Sequence, residues 1–177
     1  TATRMSSPSD LTIIVTIYHY VGSNNASIHH AVNGGRSMAR VAAVVSNGCN
    51  PDPRVLREAG WLADAGHEVT IHAFDRSENL PKENVIAGVK IVRHSVGYTQ
   101  YGGTWSTMRG LAKFRKAVIE AIGEIDLVHC HDADTLEIGL QVAKRLHTQG
   151  NSSIPVLFDM HDLHHTWVLM PKPNSLI

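Results

Sequence analysis

Three short polar stretches carry the side chains of this chain that could do chemistry. The first, residues 46–52, brings together Asn47, Gly48 and Asp52, with Arg54 directly behind. An Asn-Gly pair lets backbone N–H groups approach an anionic or hydroxyl-rich ligand, and a guanidinium adds a charge-assisted bond. The second is His129-Cys-His131-Asp132. Two positions apart in an extended segment, His129 and His131 point to the same side. The third runs from Phe158 to His165 and concentrates His161, His164 and His165 with Asp159 and Asp162. Imidazole beside carboxylate suits proton transfer, hydrogen bonding to sugar hydroxyls, or metal coordination. Each stretch also has a plain structural alternative. Asp52 can be only a helix cap and Arg54 only a solvated side chain; His129 can be a satisfied core histidine; His164-His165 can be an exposed helix start.

The surrounding pattern decides where these stretches sit. Residues 41–45 are a short β-branched apolar run, as a strand covered on both faces requires. Asp52-Pro53 then reads as a helix start, because the carboxylate can cap free N–H groups and proline fits the first helical position. Val55, Leu56, Ala59 and Leu62 recur at helical spacing, Gly66 sits at a C-terminal cap, and a second strand ends at Phe74. Further strands are expected at 89–94, 126–130 and 155–159, and helices at 106–123 and 134–147. In the latter, Asp134 and Glu137 form a capping-box pattern. A further helix is expected to start near 163 and to end at Pro171. Residues 75–87 read as a polar connection and 96–104 as a loop. Strands alternating with helices imply a doubly wound parallel sheet, with all three polar stretches on its C-terminal edge, where ligands bind.

Composition narrows the function classes. The chain has 177 residues, enough for one domain with an appendage. Its 16 basic and 16 acidic residues cancel, which excludes the basic footprint of a nucleic-acid binder. Two cysteines, Cys49 and Cys130, do not make a disulfide framework and read as buried free thiols in a reducing, cytoplasmic setting. No run reaches the length of a membrane span, since 11–21 is too short and is interrupted by Thr16 and His19. Peripheral membrane contact stays open. Residues 1–38 read as a partly disordered extension, strand-like at 11–21, and the well-patterned domain covers 39–177. No G-x-G-x-x-G occurs, which weakens a dinucleotide reading.

Three stretches together carry a family likeness. "VSNGCNPDPRVLREAGWLADAGHEVTIHAF", "DLVHCHDADTLEIGLQVAK" and "PVLFDMHDLHHTW" resemble, in that order, the N-terminal half of the retaining GT-B-fold glycosyltransferases of family 4. The resemblance covers about residues 39–170. It implies a Rossmann-like acceptor-side domain that faces a C-terminal donor domain across a cleft. A sugar would move from a nucleotide-sugar to a carbohydrate or lipid-linked acceptor with retention, and the nucleotide-sugar would serve as co-substrate with no further cofactor. Stabilising the departing diphosphate is then the main catalytic task. By the same resemblance His161, with Asp162 beside it, lies near the transferred sugar and is the catalytic candidate. Asn47, Gly48, Asp52 and Arg54 belong to the loop near the donor phosphates. His131 and Asp132 belong to the acceptor-side loop. The 98–105 loop corresponds to a segment tied to acceptor or membrane contact. No residue is assigned to a metal.

The chain departs from that family in the first loop, which lacks adjacent glycines. The Glu-x7-Glu motif and the basic residues that grip the donor are not in this sequence, and residues 1–38 have no family counterpart. On this reading the chain alone turns over little, because both reactants must be held in one closed cleft. Two other function classes compete. His129-x-His131 resembles the paired ligands of amidohydrolases and, with His161, His164 and His165, could serve a metal-dependent hydrolase, although the barrels of that class need about 250 residues and place the pair on the opening strand. A non-catalytic carbohydrate- or partner-binding α/β module is the other.

Overall fold

The computed structural model describes residues 2–6, 12–16, 38–99, 104–150 and 153–159. Apolar β-branched runs form its central strands: β3 (Arg40–Val45), β4 (Glu68–Phe74), β6 (Val89–His94), β7 (Leu127–His131) and β8 (Val156–Asp159). They pair in parallel, in the spatial order β8-β7-β3-β4-β6. In chain order of the five, that is the doubly wound arrangement, with the direction of winding reversing between β3 and β7.

Both borders of the sheet are antiparallel additions. β5 (Glu83–Ile86) pairs with β6 inside the stretch expected to be a polar connection. Its residues are largely exposed, with only Ile86 packed against the core, so the segment has no apolar alternation to mark it in the sequence. At the other border β1 (Ala2–Ser6) pairs antiparallel with β2 (Thr12–Thr16), and β2 pairs in parallel with β8. The strand character of 11–21 is therefore realised at 12–16 as part of the main sheet, and residues 2–6 of the segment expected to be irregular are extended as well.

Two apolar layers sandwich the sheet. α1 (Pro53–Asp64) covers one face, burying Val55, Glu58, Ala59 and Leu62 against alternate residues such as Val41, Ala43, Val45, Leu127 and Leu157. Asp52 caps this helix as expected, its Oδ1 accepting from the Val55 N–H at 3.2 Å, with Pro53 in the first turn. The helix stops at Gly66, φ +89, where the Gly66 N–H donates to Ala63 O and the His67 N–H to Leu62 O. Those crossed bonds close the last turn only with a left-handed residue between them. α2 (Thr104–Ala121) and α3 (Ala133–Thr148) cover the other face through Phe114, Val118, Ile138, Val142 and Leu146.

α3 lies close enough to the sheet that one helical position has no room for a side chain. A Cβ on Gly139 would overlap the Cys130 Sγ and meet Val156 and Val128 at 3.1 and 3.3 Å. Gly139→Ala is therefore expected to lower stability by about 1–3 kcal/mol through overpacking. A reduced urea midpoint at unchanged slope would show it. The stabilisation expected from helix propensity alone would refute the close approach. Cys49 and Cys130 are both buried and unbridged, and burial pushes the Cys130 thiol up to about 12. Among the described residues no helix is long and apolar enough to cross a membrane.

Candidate functional site

The turn after β3 is built by its own side chains. Asn47 Oδ1 accepts the Cys49 N–H at 2.8 Å, and Asn47 Nδ2 donates to Asp52 Oδ2 at 2.9 Å. Asn47 thus ties the turn to the helix cap, and Asp52 serves both. Burial works against the charge on Asp52, but the Asn47 amide, the Val55 N–H and the Arg54 guanidinium outweigh it and lower its pKa. Arg93, only 2% exposed, reaches up from β6 beneath the turn. Its guanidinium donates to Gly48 O at 2.8 Å, Pro81 O at 3.0 Å and Cys49 O at 3.2 Å. Nothing in the local sequence marks Arg93; it lies in an ordinary strand 45 positions from its first partner.

The turn after β7 meets the first across the point where the winding reverses. Arg54 donates to Asp132 Oδ2 at 2.8 Å, so α1 and the β7–α3 turn are joined by an ion pair. Burial opposes the charge on Arg54, and the Asp132 carboxylate more than restores it. Asp132, rather than Asp134, occupies the N-cap position of α3, and its side chain makes no capping bond. The helix thus starts one residue before Asp134, the expected Asp134–Glu137 capping box is not formed, and the Asp132 carboxylate turns to Arg54 instead. Asp132 pays for this in its backbone, with φ +67 and ψ 160, a region otherwise glycine's that costs about 1–3 kcal/mol. Its N–H donates to Asp159 O at 2.9 Å, and the Thr135 hydroxyl bonds to His131 O at 2.7 Å and to Asp132 O at 3.0 Å. Asp132 Oδ1 and Arg54 Nε are buried with no hydrogen-bond partner among the described residues. Asp134 sits in the first turn of α3. Burial and the neighbouring Asp132 charge raise its pKa, with the Ser46 hydroxyl pulling the other way.

His131 does not stand on the rim. It is 1% exposed and points under α1, with Nδ1 3.5 Å from Asp159 Oδ2 and 3.9 Å from Glu58 Oε2. His129 lies beside it, ring centroids 4.1 Å apart, with Nε2 3.7 Å from Glu58 Oε2. Glu58 is not among the expected site residues, yet the sequence marks it: it falls inside the apolar stripe, three after Val55 and four before Leu62. The third stretch begins within β8, whose last residue, Asp159, is buried beside His131. His161 and Asp162, together with His164 and His165, lie outside the described residues.

A cavity of about 380 Å³ opens beside the first turn, walled by Asn47–Pro51, Asp75–Ser77, Leu80 and Thr99, with the largely exposed Tyr98 at its lip. Asp75 shapes the opposite wall by accepting the N–H groups of Ser77, Glu78 and Leu80 at 3.0–3.1 Å. Burial disfavours its charge, but those donors lower its pKa all the same. A larger hollow of about 550 Å³ lies over β4 and β6 between Thr70, His72, Lys90 and His94, away from residues 47–54 and 131–134.

Among the described residues the sheet runs open from β1 to β5 and is not closed into a hydrolase barrel. Comparison with known proteins bears on the rest. No curated protein matches the chain. Among solved structures, sucrose-phosphate synthase from Thermosynechococcus elongatus is similar, with a TM-score of 0.49 and 19% identity. That similarity covers 70% of this chain and 33% of the other, so the chain spans about one third of that protein's length. The family model described as a glycosyl transferase 4-like domain matches residues 51–175, from the end of the first polar turn through the whole of the third stretch. The chain belongs to the glycosyl transferase 4-like domain family.

Proposed function

We propose that this chain is the acceptor-side half of a glycosyltransferase that moves a sugar from a nucleotide-sugar to a carbohydrate or lipid-linked acceptor, with retention at the anomeric carbon. The observation that carries the reading is the Arg54–Asp132 bridge. Within a glycosyl transferase 4-like domain, it joins two of the three polar stretches at the C-terminal rim, next to a cavity large enough for a sugar. In this reading Asn47 and Gly48 border the donor phosphates from the first turn, whose shape Asp52 holds. Asp132, its Oδ2 held by Arg54, shapes the acceptor side from the second turn. His131 supports Asp132 from beneath. His161 and Asp162 stand near the transferred sugar and its departing phosphate. The donor domain across the cleft completes the site, and the nucleotide-sugar is the only small molecule the chemistry needs.

The test uses the complete enzyme that contains this chain, screened with UDP-, GDP- and ADP-sugars, with the anomeric outcome read by proton NMR. His161→Ala is expected to cut turnover by about 10²-fold or more, the usual scale for removing an acid–base or electrostatic contributor. Unchanged turnover would remove His161 from the site. An inverted product would overturn the retaining assignment while leaving the family intact.

A further inference from the structure

We infer that Glu58, His129, His131 and Asp159 form a binding site for one divalent transition-metal ion, with zinc the best match. The site arises from three periodicities that coincide. On β7 the pleat turns His129 and His131 to the α1 face, the face of Leu127. On β8 Asp159 is the register partner of His131 and shares the face of Leu157. Above them α1 runs with its buried stripe inward, and Glu58 falls in that stripe. Two imidazoles and two carboxylates from three elements thereby converge, their ligand atoms all within 4.8 Å of one another.

The spacing suits a small tetrahedral ion. Metal–nitrogen and metal–oxygen bonds of about 2.0–2.1 Å place tetrahedral ligand atoms roughly 3.4 Å apart. Three of the six pairs here stand at 3.5, 3.7 and 3.9 Å and all lie within 4.8 Å, so side-chain rotations of the order of an ångström close the shell. The donor set selects the metal. Paired imidazoles exclude magnesium and calcium, which take oxygen, and four protein ligands in a tetrahedron fit zinc. Charge points the same way. All four residues are at most 2% exposed, and two carboxylates in so dry a place need compensation. One divalent cation neutralises both and leaves the imidazoles neutral, as metal ligation requires.

With four protein ligands the shell is closed, which makes this a structural site and not a catalytic one. Its effect is to pin α1 to β7 and β8 directly under the rim. Arg54, one helical turn before Glu58, and Asp132, directly after His131, form the ion pair that lies over it. The site stands independently of sugar transfer, and its test needs no substrate.

The complete chain, purified on a tag without histidine, is expected to retain zinc stoichiometrically by mass spectrometry. After chelation, added zinc is expected to raise the melting temperature by about 5–10 °C at roughly a hundredfold excess over Kd. Cobalt(II) loaded in place of zinc should give the intense visible bands of a tetrahedral site. Glu58→Gln and Asp159→Asn should each abolish those bands, and wild-type cobalt spectra decide the matter even where a variant fails to fold. A folded, metal-free chain whose melting temperature ignores zinc overturns the inference. Binding that survives both variants overturns it too, and places the metal on the other histidines.

Discussion

Arg93→Met is expected to cost about 3–4 kcal/mol of folding stability, although Arg93 lies outside the rim and methionine packs as readily. The charged guanidinium satisfies three backbone carbonyls, those of Gly48, Cys49 and Pro81, in a place closed to water. Hydrogen bonds to a charged group contribute about 1.5–3 kcal/mol each, and buried acceptors left without a donor lose their solvation in full. Release of the buried cation offsets part of that sum. Arg93→Lys should recover only part of the loss, because an ammonium cannot span three carbonyls with a planar fork. Urea unfolding of the two variants beside the wild type measures it. A loss below about 1 kcal/mol for Arg93→Met would show that the turn is held by Asn47 and Asp52 alone.

The second large effect is a pH dependence centred on His72. Burial, with the His94 and Lys90 charges adding, lowers its pKa to about 3, and its Nδ1 lies 3.0 Å from His94 Nε2. In the unfolded chain a histidine titrates near 6.5. Between those values the unfolded state holds the extra proton, so stability rises with pH across the window and is lost as pH falls. The loss should reach about 2 kcal/mol on going from pH 7.5 to pH 5, and roughly 5 kcal/mol over the full span. His94, lowered chiefly by burial and further by Lys82, adds to it in the same sense. Asp134 works in the opposite direction, since a raised carboxyl gains stability as it protonates. Asp52 and Asp75 are lowered carboxylates whose contributions fade only in stronger acid. Unfolding free energies at pH 7.5, 6 and 5 for wild type and His72→Leu isolate the histidine. An equal slope in both would assign the dependence elsewhere.

The parts of this fold that were legible in the sequence are those whose cause is local. Residues 41–45 announce a strand because a parallel strand is apolar on both faces, and Asp52-Pro53 announces a helix because cap and first turn need those residues side by side. Leu56 and Ala59 fall at helical spacing whatever covers them. What escaped is set by distant partners. Glu58 falls in the buried stripe of its helix, but its role is hidden until β7 supplies two histidines. Arg93 looks like an edge charge until the turn at Gly48 folds over it. Asp132 stands at the N-cap position yet leaves the helix end uncapped, because Arg54, 78 positions earlier, draws its carboxylate away. Glu83–Ile86 is a strand only because β6 offers it an edge, and its own exposed side chains say nothing. At the rim, the meeting of the first two stretches followed from topology, but the inward turn of His131 did not.

The partnership of β2 with β8 makes the chain's opening residues a hem for its last described strand. Val156–Asp159 is completely enclosed, and one of its flanks is Thr12–Thr16. Trimming the protein back to the well-patterned stretch would unpick that seam and bare the backbone that carries Asp159. The leading residues, which look dispensable by composition, thereby become guardians of the strand on which the rim is hung.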